Sequence, residues 1–508
     1  MEAPKLTRLA QFGLLAGTAV AVTTQSLDVT IAAVALPHMQ GSLSASQDEI
    51  NWVITSYITA AAIMTAPSAW LADRFGRKRV MVLSMAGFVL ASVATGFATS
   101  VDQIVLFRLL QGMCGAPLMP LCQAALMDAY EPKDQARALG YWMVASVMGP
   151  VMGPNLGGWI TDHWNWRWVF FINVPIGAVC LLLLILFIPE TKPRHRDFDW
   201  FGFGAFSLFV GCFQLTMDRG SGQDWFGSNE IIAEACLAGL GLYTFIVHSK
   251  TTSNPFIDFS LLLKRSFGFG TVFTFLITLL LTASLILLPS FLENLLGDPV
   301  GTAGGLMSLR SIGAGTTMLV AGRIAFLRDA PLLPMFGLSA TALSMYLMSR
   351  WSLNVSSLEV SLVGLMQGVG IGTAFASVQG MNLVGLSPKQ RNGAASITAL
   401  ARNFGQSIGS SVAMTLLIRN TQVNHAEIVA RVTPFNRALQ SGGAKLYWNW
   451  HETATRMTLD GEITRQASLI AFNDDFRILM YVSLLAIPMV LLARNWKKPT
   501  EKRIAPAE

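Results

Sequence analysis

Charge is scarce here: Asp, Glu, Lys and Arg make up 13% of 508 residues, against about 25% in a soluble globular chain. A chain of this length folded in water needs that charge to cover its surface, so a soluble enzyme or binding module is excluded. Cysteines number five. Cys114, Cys122, Cys180, Cys212 and Cys236 lie in or beside apolar stretches without zinc-like spacing, which points to the filling of small packing volumes. His425 and His451 stand far apart with no HExxH pattern, so no metal site is expected. No glycine-rich nucleotide loop with its Lys is present, which excludes primary ATP-driven transport. No nucleophile cluster, ligand set or acid–base pair gathers at one depth, and no enzymatic role or cofactor is expected.

What the chain has instead is apolar length, with 52% hydrophobic residues. Windows of membrane-spanning length fall near 12–36, 51–71, 79–99, 104–127, 139–160, 168–188, 200–217, 230–248, 267–289, 301–321, 331–349, 358–380, 393–418 and 476–493. This predicts an all-α polytopic membrane protein with 14 transmembrane helices. The first span has no small-residue cleavage site after it and reads as a retained helix. Lys and Arg crowd the N-terminus (Lys5, Arg8), alternate loops such as Arg74 to Arg79 and Lys192 to Arg196, and the tail (Arg494, Lys497, Lys498). The loops on the other side hold little beyond Arg167, Arg219 and Arg350, which places both termini in the cytoplasm. The formal net charge of +6 follows from this bias and needs no nucleic-acid partner.

Asp28 is a lone carboxylate inside the first span, where an ionised side chain costs roughly 2.5–3.5 kcal/mol on insertion scales. It either faces the bundle interior with a task or makes a structural pair. Arg108 lies about one turn inside the fourth span and shares a face with Gln111. A buried Arg near an acid lowers that acid's proton affinity, so Asp28 and Arg108 are the candidate proton-coupling pair, although depth alone does not put their helices in contact. Gly76 permits a tight turn in the basic hairpin after the second span. Asp73, Arg74, Gly76 and Arg77 form a candidate conformational latch there, in which Asp73 is expected to pair with a basic group and fix the loop to a neighbouring helix end. In the fifth span Gly149, Gly153 and Gly157 recur every four residues, each step turning about 40°, and so form a flat face for close approach. With Pro150 and Pro154, that span reads as a hinge or a seal between two halves. Gln25, Tyr57, Gln111, Asn173, Arg310 and Arg402 are candidate cavity residues, the last two either binding anions or pairing internally. Between the last two spans, 420–475 reads as an external segment of polar helical runs (Thr421 to Val432, Glu462 to Ala471) with turns at Thr433-Pro434 and Gly442-Gly443, long enough to suggest partner docking.

These motifs resemble the major facilitator superfamily, in particular its fourteen-helix drug:proton antiporter branch. LADRFGRKR matches the hairpin motif with Ala69 in the leading position, and Arg108, Gln111 and Gly112 match that of the fourth span. Gly140, Gly149, Gly153, Pro154, Gly157 and Gly158 match the antiporter motif of the fifth span at all its spacings. LDVTIAAVALP is similar to the motif of the first span, with Asp28 on its acid and Ala33 where Asn is usual, removing a possible hydrogen-bonding partner. The resemblance covers nearly the whole chain. It implies an N-terminal six-helix bundle (1–190), a linker with two extra transmembrane helices (191–265) and a C-terminal six-helix bundle (266–508) that includes the periplasmic loop 420–475. It further implies a multi-pass protein of the bacterial inner membrane that exports hydrophobic drugs or toxic compounds in exchange for protons. Stretches after the seventh and thirteenth spans look like the inner-membrane component of tripartite efflux systems, which implies a periplasmic adaptor and an outer-membrane channel as partners. A single-component multidrug or metabolite exporter is the alternative, and a proton-coupled uptake carrier a more distant one.

Overall fold

Apolar side chains and a lipid solvent leave the backbone only itself to hydrogen-bond to, and a chain made of such spans resolves into helices. The computed structural model describes residues 7–191, 193, 197–252, 257, 260–324, 332–383, 390–432 and 453–492. Among these the only regular structure is helical. The first run comprises α1 (Arg8–Leu43), α2 (Gln47–Thr65), α3 (Ser68–Phe75), α4 (Arg77–Phe97), α5 (Val101–Gly115), α6 (Leu118–Ala129), α7 (Pro132–His163), α8 (Trp168–Phe171) and α9 (Asn173–Phe187). Two helices follow, α10 (Trp200–Arg219) and α11 (Asn229–Thr251), then the short α12 (Ser260–Leu263). The second run is α13 (Arg265–Ser290), α14 (Val300–Ile324), α15 (Leu332–Met348), α16 (Ser357–Leu383), α17 (Arg391–Arg431) and α18 (Thr453–Leu492). A π-helical turn, Phe291–Leu295, extends α13.

Each of the fourteen apolar windows falls on one helix or on a pair broken by one or two residues, and Pro67 and Pro117 mark two of those breaks. Among the described residues, eight helical stretches are long and apolar enough to cross a membrane. Local signals set the ends. Thr7 caps α1 by accepting from the Ala10 amide. Ser46 and Glu49 close a capping box on α2, and the Ser46 amide and hydroxyl hold the Glu49 carboxyl below the usual carboxylate range. Gly76 separates α3 from α4 with φ of +89°, a conformation that strains any residue with a Cβ.

Two boundaries differ from the sequence reading. The first apolar window ends at residue 36, but α1 continues to Leu43 through Pro37. Thr421 to Arg431 continues α17, and Glu462 to Ala471 lies within α18, so the polar runs extend membrane helices rather than forming separate ones. The 41 residues of α17 span about 62 Å at 1.5 Å per residue, twice a hydrocarbon core of about 30 Å. Asn420 donates to Asp475 at 3.3 Å and His425 meets Asp460 at 3.0 Å, tying the two extensions together. The expected turns at Thr433-Pro434 and Gly442-Gly443, and His451, lie outside the described residues.

Glycines set the closest helix contacts. A Cβ on Gly149 would collide with Ser26 and the Leu27 amide, one on Gly153 with Thr30, and one on Gly157 with Ile31. Thr30 and Thr23 donate to the carbonyls of Gly149 and Ala145 at 3.3 and 2.8 Å across the same seam. The flat face of α7 therefore packs on α1, within the first run. Of the motif glycines, Gly140 meets the second run, at Met318 and Leu319 of α14. Gly158 has open space, and the Pro154 side chain is outside what is described. Further contacts join the runs at the same end: Ser68 to Ser396 at 3.0 Å, Asn403 to Thr65 at 3.4 Å and Arg402 to Met119 at 2.9 Å.

The α1–α7 seam predicts a contrast between two glycines. Gly149→Leu should overpack it, at a cost of about 1–3 kcal/mol, and lower the melting temperature of the purified protein by several degrees. Gly158→Ala should leave that temperature unchanged. Equal effects of the two substitutions would contradict the packing described.

Candidate functional site

Five helices place polar groups around one carboxylate. α1 carries Asp28, fully buried, in its middle. α5 presents Arg108 and Gln111 three residues apart, hence on one face. Arg108 Nη1 donates to Asp28 Oδ2 at 2.5 Å and to Gln111 Oε1 at 2.8 Å, while Gln111 Nε2 donates to Asp28 Oδ1 at 2.9 Å. α9 begins at Asn173, whose Nδ2 reaches Asp28 Oδ1 at 2.7 Å and Ser92 Oγ of α4 at 3.0 Å. Ser92 in turn donates to the Phe170 carbonyl at 2.9 Å. α2 supplies the Val53 carbonyl, which accepts from Arg108 Nε at 3.1 Å, and the Tyr57 ring, 4.3 Å from the guanidinium carbon.

Both charged side chains have no exposed surface. Removing two ions from water costs several kcal/mol each, and their attraction offsets that only when further hydrogen bonds complete the geometry. Gln111, Asn173 and Val53 supply such bonds here and the Tyr57 face covers the guanidinium, while Arg108 Nη2 is buried with no partner. A fixed cation and two amide donors surround the carboxylate. A proton on Asp28 would remove the attraction joining α1 to α5 and leave the guanidinium without its anion. Proton access itself requires movement, because no surface of either group is open.

The sequence candidates separate into two sets. Asp28, Arg108, Gln111, Asn173 and Tyr57 are brought together, and Gln25 lies one turn before Asp28 on α1. Arg310 and Arg402 lie apart, in the second run. Arg310 donates to Ser284 Oγ at 2.7 Å and to the carbonyls of Ser284 and Leu281 at 3.4 Å. Arg402 meets the Met119 thioether at 2.9 Å and stands 5.9 Å from the Phe375 ring centre. Ala33 is exposed, so the side chain that the usual Asn would carry there points away from Asp28 and its absence leaves the cluster intact. In the hairpin, the ion pair with a neighbouring helix end is made by Arg77 and Asp128 of α6 at 2.8 Å, and the Arg77 amide donates to Thr191 Oγ1 at 2.7 Å. Sequence reasoning missed Asp128, Ser92 and the Val53 carbonyl. Asp128 had a signal, a carboxylate closing an apolar span on the basic side.

Fold and site together define a polytopic helical membrane protein organised around a sealed charge pair. The Major Facilitator Superfamily model matches residues 18–416. The multidrug export protein EmrB of Haemophilus influenzae is 33% identical over 89% of each chain. The fatty acid resistance protein FarB of Neisseria gonorrhoeae is 32% identical over 97% of this chain and 98% of its own. Among solved structures, the proton:xylose symporter XylE matches with a TM-score of 0.62 at 12% identity, covering 96% of both chains, a likeness of fold alone. The chain belongs to the Major Facilitator Superfamily. It is a multi-pass membrane transporter.

The pair's energetics can be tested by a double-mutant cycle. Arg108→Gln leaves a buried carboxylate without its cation and should destabilise the protein by about 3–5 kcal/mol. Asp28→Asn combined with Arg108→Gln should recover most of that loss in thermal unfolding of the purified protein. A double variant as unstable as the sum of the two single variants would mean that the groups are not coupled.

Proposed function

We propose that this chain exports lipophilic drugs or toxic compounds across the bacterial inner membrane in exchange for protons, with Asp28 as the proton carrier and Arg108 as the group that sets its affinity. The observation that carries this reading is the sealed Asp28–Arg108 pair with its amide donors from α5 and α9. Relatives named for multidrug export, at about a third identity over most of both chains, support the direction of transport and the substrate class. The first run (1–190) and second run (266–508) act as the two moving halves, with α10 and α11 in the 191–265 segment inserted between them. Contacts between the runs cluster at the end carrying the basic loops, which the charge bias makes cytoplasmic along with both termini. This describes a state shut toward the cytoplasm.

A periplasmic proton reaching Asp28 weakens its hold on Arg108 and frees α1 to shift against α5. The Arg77–Asp128 pair, with Asp73, Arg74 and Gly76 in the same hairpin, serves as a latch on the cytoplasmic face, where helix ends separate when access changes. A pH difference of one unit supplies about 1.4 kcal/mol, and 100 mV adds about 2.3 kcal/mol per charge moved. One proton therefore sustains a gradient of roughly several hundred-fold. The extensions of α17 and α18 beyond membrane thickness offer a docking element for a periplasmic adaptor that continues to an outer-membrane channel.

Inside-out vesicles with an acidified lumen provide the test. Adding a panel of lipophilic drugs to vesicles containing the wild-type chain should release lumenal protons. Asp28→Asn should abolish that release while the protein remains in the membrane at normal abundance. Full drug-linked proton movement in Asp28→Asn would remove the carrier role from this residue.

A further inference from the structure

We infer that the seam between the two helical runs holds a binding site for the carboxylate of a lipophilic anion, with Arg402 as its anchor. The contrast among three interior arginines carries this. Arg108, Arg310 and Arg402 are 0%, 4% and 6% exposed. The first is neutralised by Asp28, and the second donates to a hydroxyl and two carbonyls. Arg402 has neither arrangement. Its described hydrogen-bond acceptor is the Met119 sulfur, a weak one. Its Nε and Nη2 are buried with no partner. Among the described residues, the ion pairs do not include it.

A guanidinium does not shed its proton, so the charge stays, desolvated and without an anion. The unfilled atoms are also a matched set. Nε–H and Nη2–H lie along one edge of the planar group, the edge that a carboxylate takes side-on through two parallel hydrogen bonds. Met119 occupies Nη1 instead and leaves that edge free. Its described neighbours, the Met119 thioether and the Phe375 ring, are apolar, which suits a carboxylate attached to a hydrophobic body.

The location gives the site a transport role. Arg402 is on α17, and Met119 is on α6 of the other run. The next residue, Asn403, reaches Thr65, and Ser396 reaches Ser68, so both runs meet around it. A ligand held here is touched by both moving halves, as alternating access requires of a substrate. That role rests on the export reading above, whereas the binding chemistry does not.

The test uses the full chain in nanodiscs of zwitterionic lipid, so that no lipid headgroup supplies a net anion, with empty nanodiscs as the partition control. Fluorescence anisotropy of pyrenebutyrate is compared with that of pyrenebutanol, which has the same rings without the charge. Wild type should bind the carboxylate about tenfold tighter than the alcohol, the scale of a charge-assisted pair. Arg402→Gln should erase that preference and leave alcohol binding unchanged. Arg402→Lys, which keeps the charge but not the fork, should retain part of it. Arg402→Gln should also melt no lower than wild type, because an unpaired buried charge has been removed. Equal binding of both probes by wild type, an intact preference in Arg402→Gln, or a large drop in its melting temperature would each overturn the assignment. Binding is read without a proton gradient, so Asp28→Asn should keep the carboxylate preference even as it loses drug-linked proton movement, which separates failure here from failure of the proposed coupling.

Discussion

An ionised carboxylate with no exposed surface is tolerable only beside a fixed cation and with its remaining lone pairs satisfied. Asp28 meets both conditions by drawing on other helices: Arg108 and Gln111 from α5, and Asn173 from α9. Arg108 in turn needs the α2 backbone at Val53, and Asn173 is steadied by Ser92 of α4. Each requirement fixes the position of one more helix, so much of the first run is organised by the solvation of a single charge. The same dependence ties the packing of these helices to the pairing of Asp28 with Arg108.

Such convergence demands helices closer than ordinary side chains allow. Gly112 lies against the Tyr57 carbonyl, bringing α5 onto α2 one residue after Gln111. Gly149, Gly153 and Gly157 let α7 lie along α1 from Ser26 to Val34, the stretch that contains Asp28. Without a hydrophobic force between helices in lipid, this close packing and the threonine-to-carbonyl bonds across it supply the attraction. The glycine pattern and the buried acid are thus parts of one device, since the face of α1 opposite the charge cluster is held by the glycine face of α7.

The span lengths and the isolation of Asp28 were legible in the sequence because bilayer thickness and the cost of a buried charge act on composition directly. The pairing with Arg108 was not, since depth along a helix carries no information about the direction in which its neighbour lies. Asn173 stood out only as a polar residue in an apolar span, and Ser92 did not stand out at all, because a serine in a membrane helix commonly bonds its own backbone. In the 420–475 segment the polar runs are helical, but they continue the neighbouring spans. Side-chain polarity changes near Asn420, but the backbone hydrogen bonds continue to Arg431, so composition marks the edge of the membrane rather than the end of the helix. In the hairpin the sequence reading put the pairing on Asp73, and the structure shows an ion pair between Arg77 and Asp128, a partner that the apolar span ending in a carboxylate marked only in outline.

The two runs treat charge differently, and that difference bears on coupling. In the first, carboxylate and guanidinium cancel in a sealed pair. In the second, Arg310 is buried against neutral acceptors, and Arg402 meets Met119 across the seam with Nε and Nη2 buried and unpartnered. Asp28, with no exposed surface, cannot serve as a ligand contact in this state, so on the proposed reading proton and substrate do not compete for one residue. Their influence on each other has to pass through packed helices. The contiguous route the structure offers runs from α1 to α7 along the glycine seam, and from Gly140 of α7 to Met318 and Leu319 of α14. On the proposed reading, a movement of α1 on protonation reaches α14 along this route, through Ser26, Thr30 and Ile31 packed against the glycines of α7.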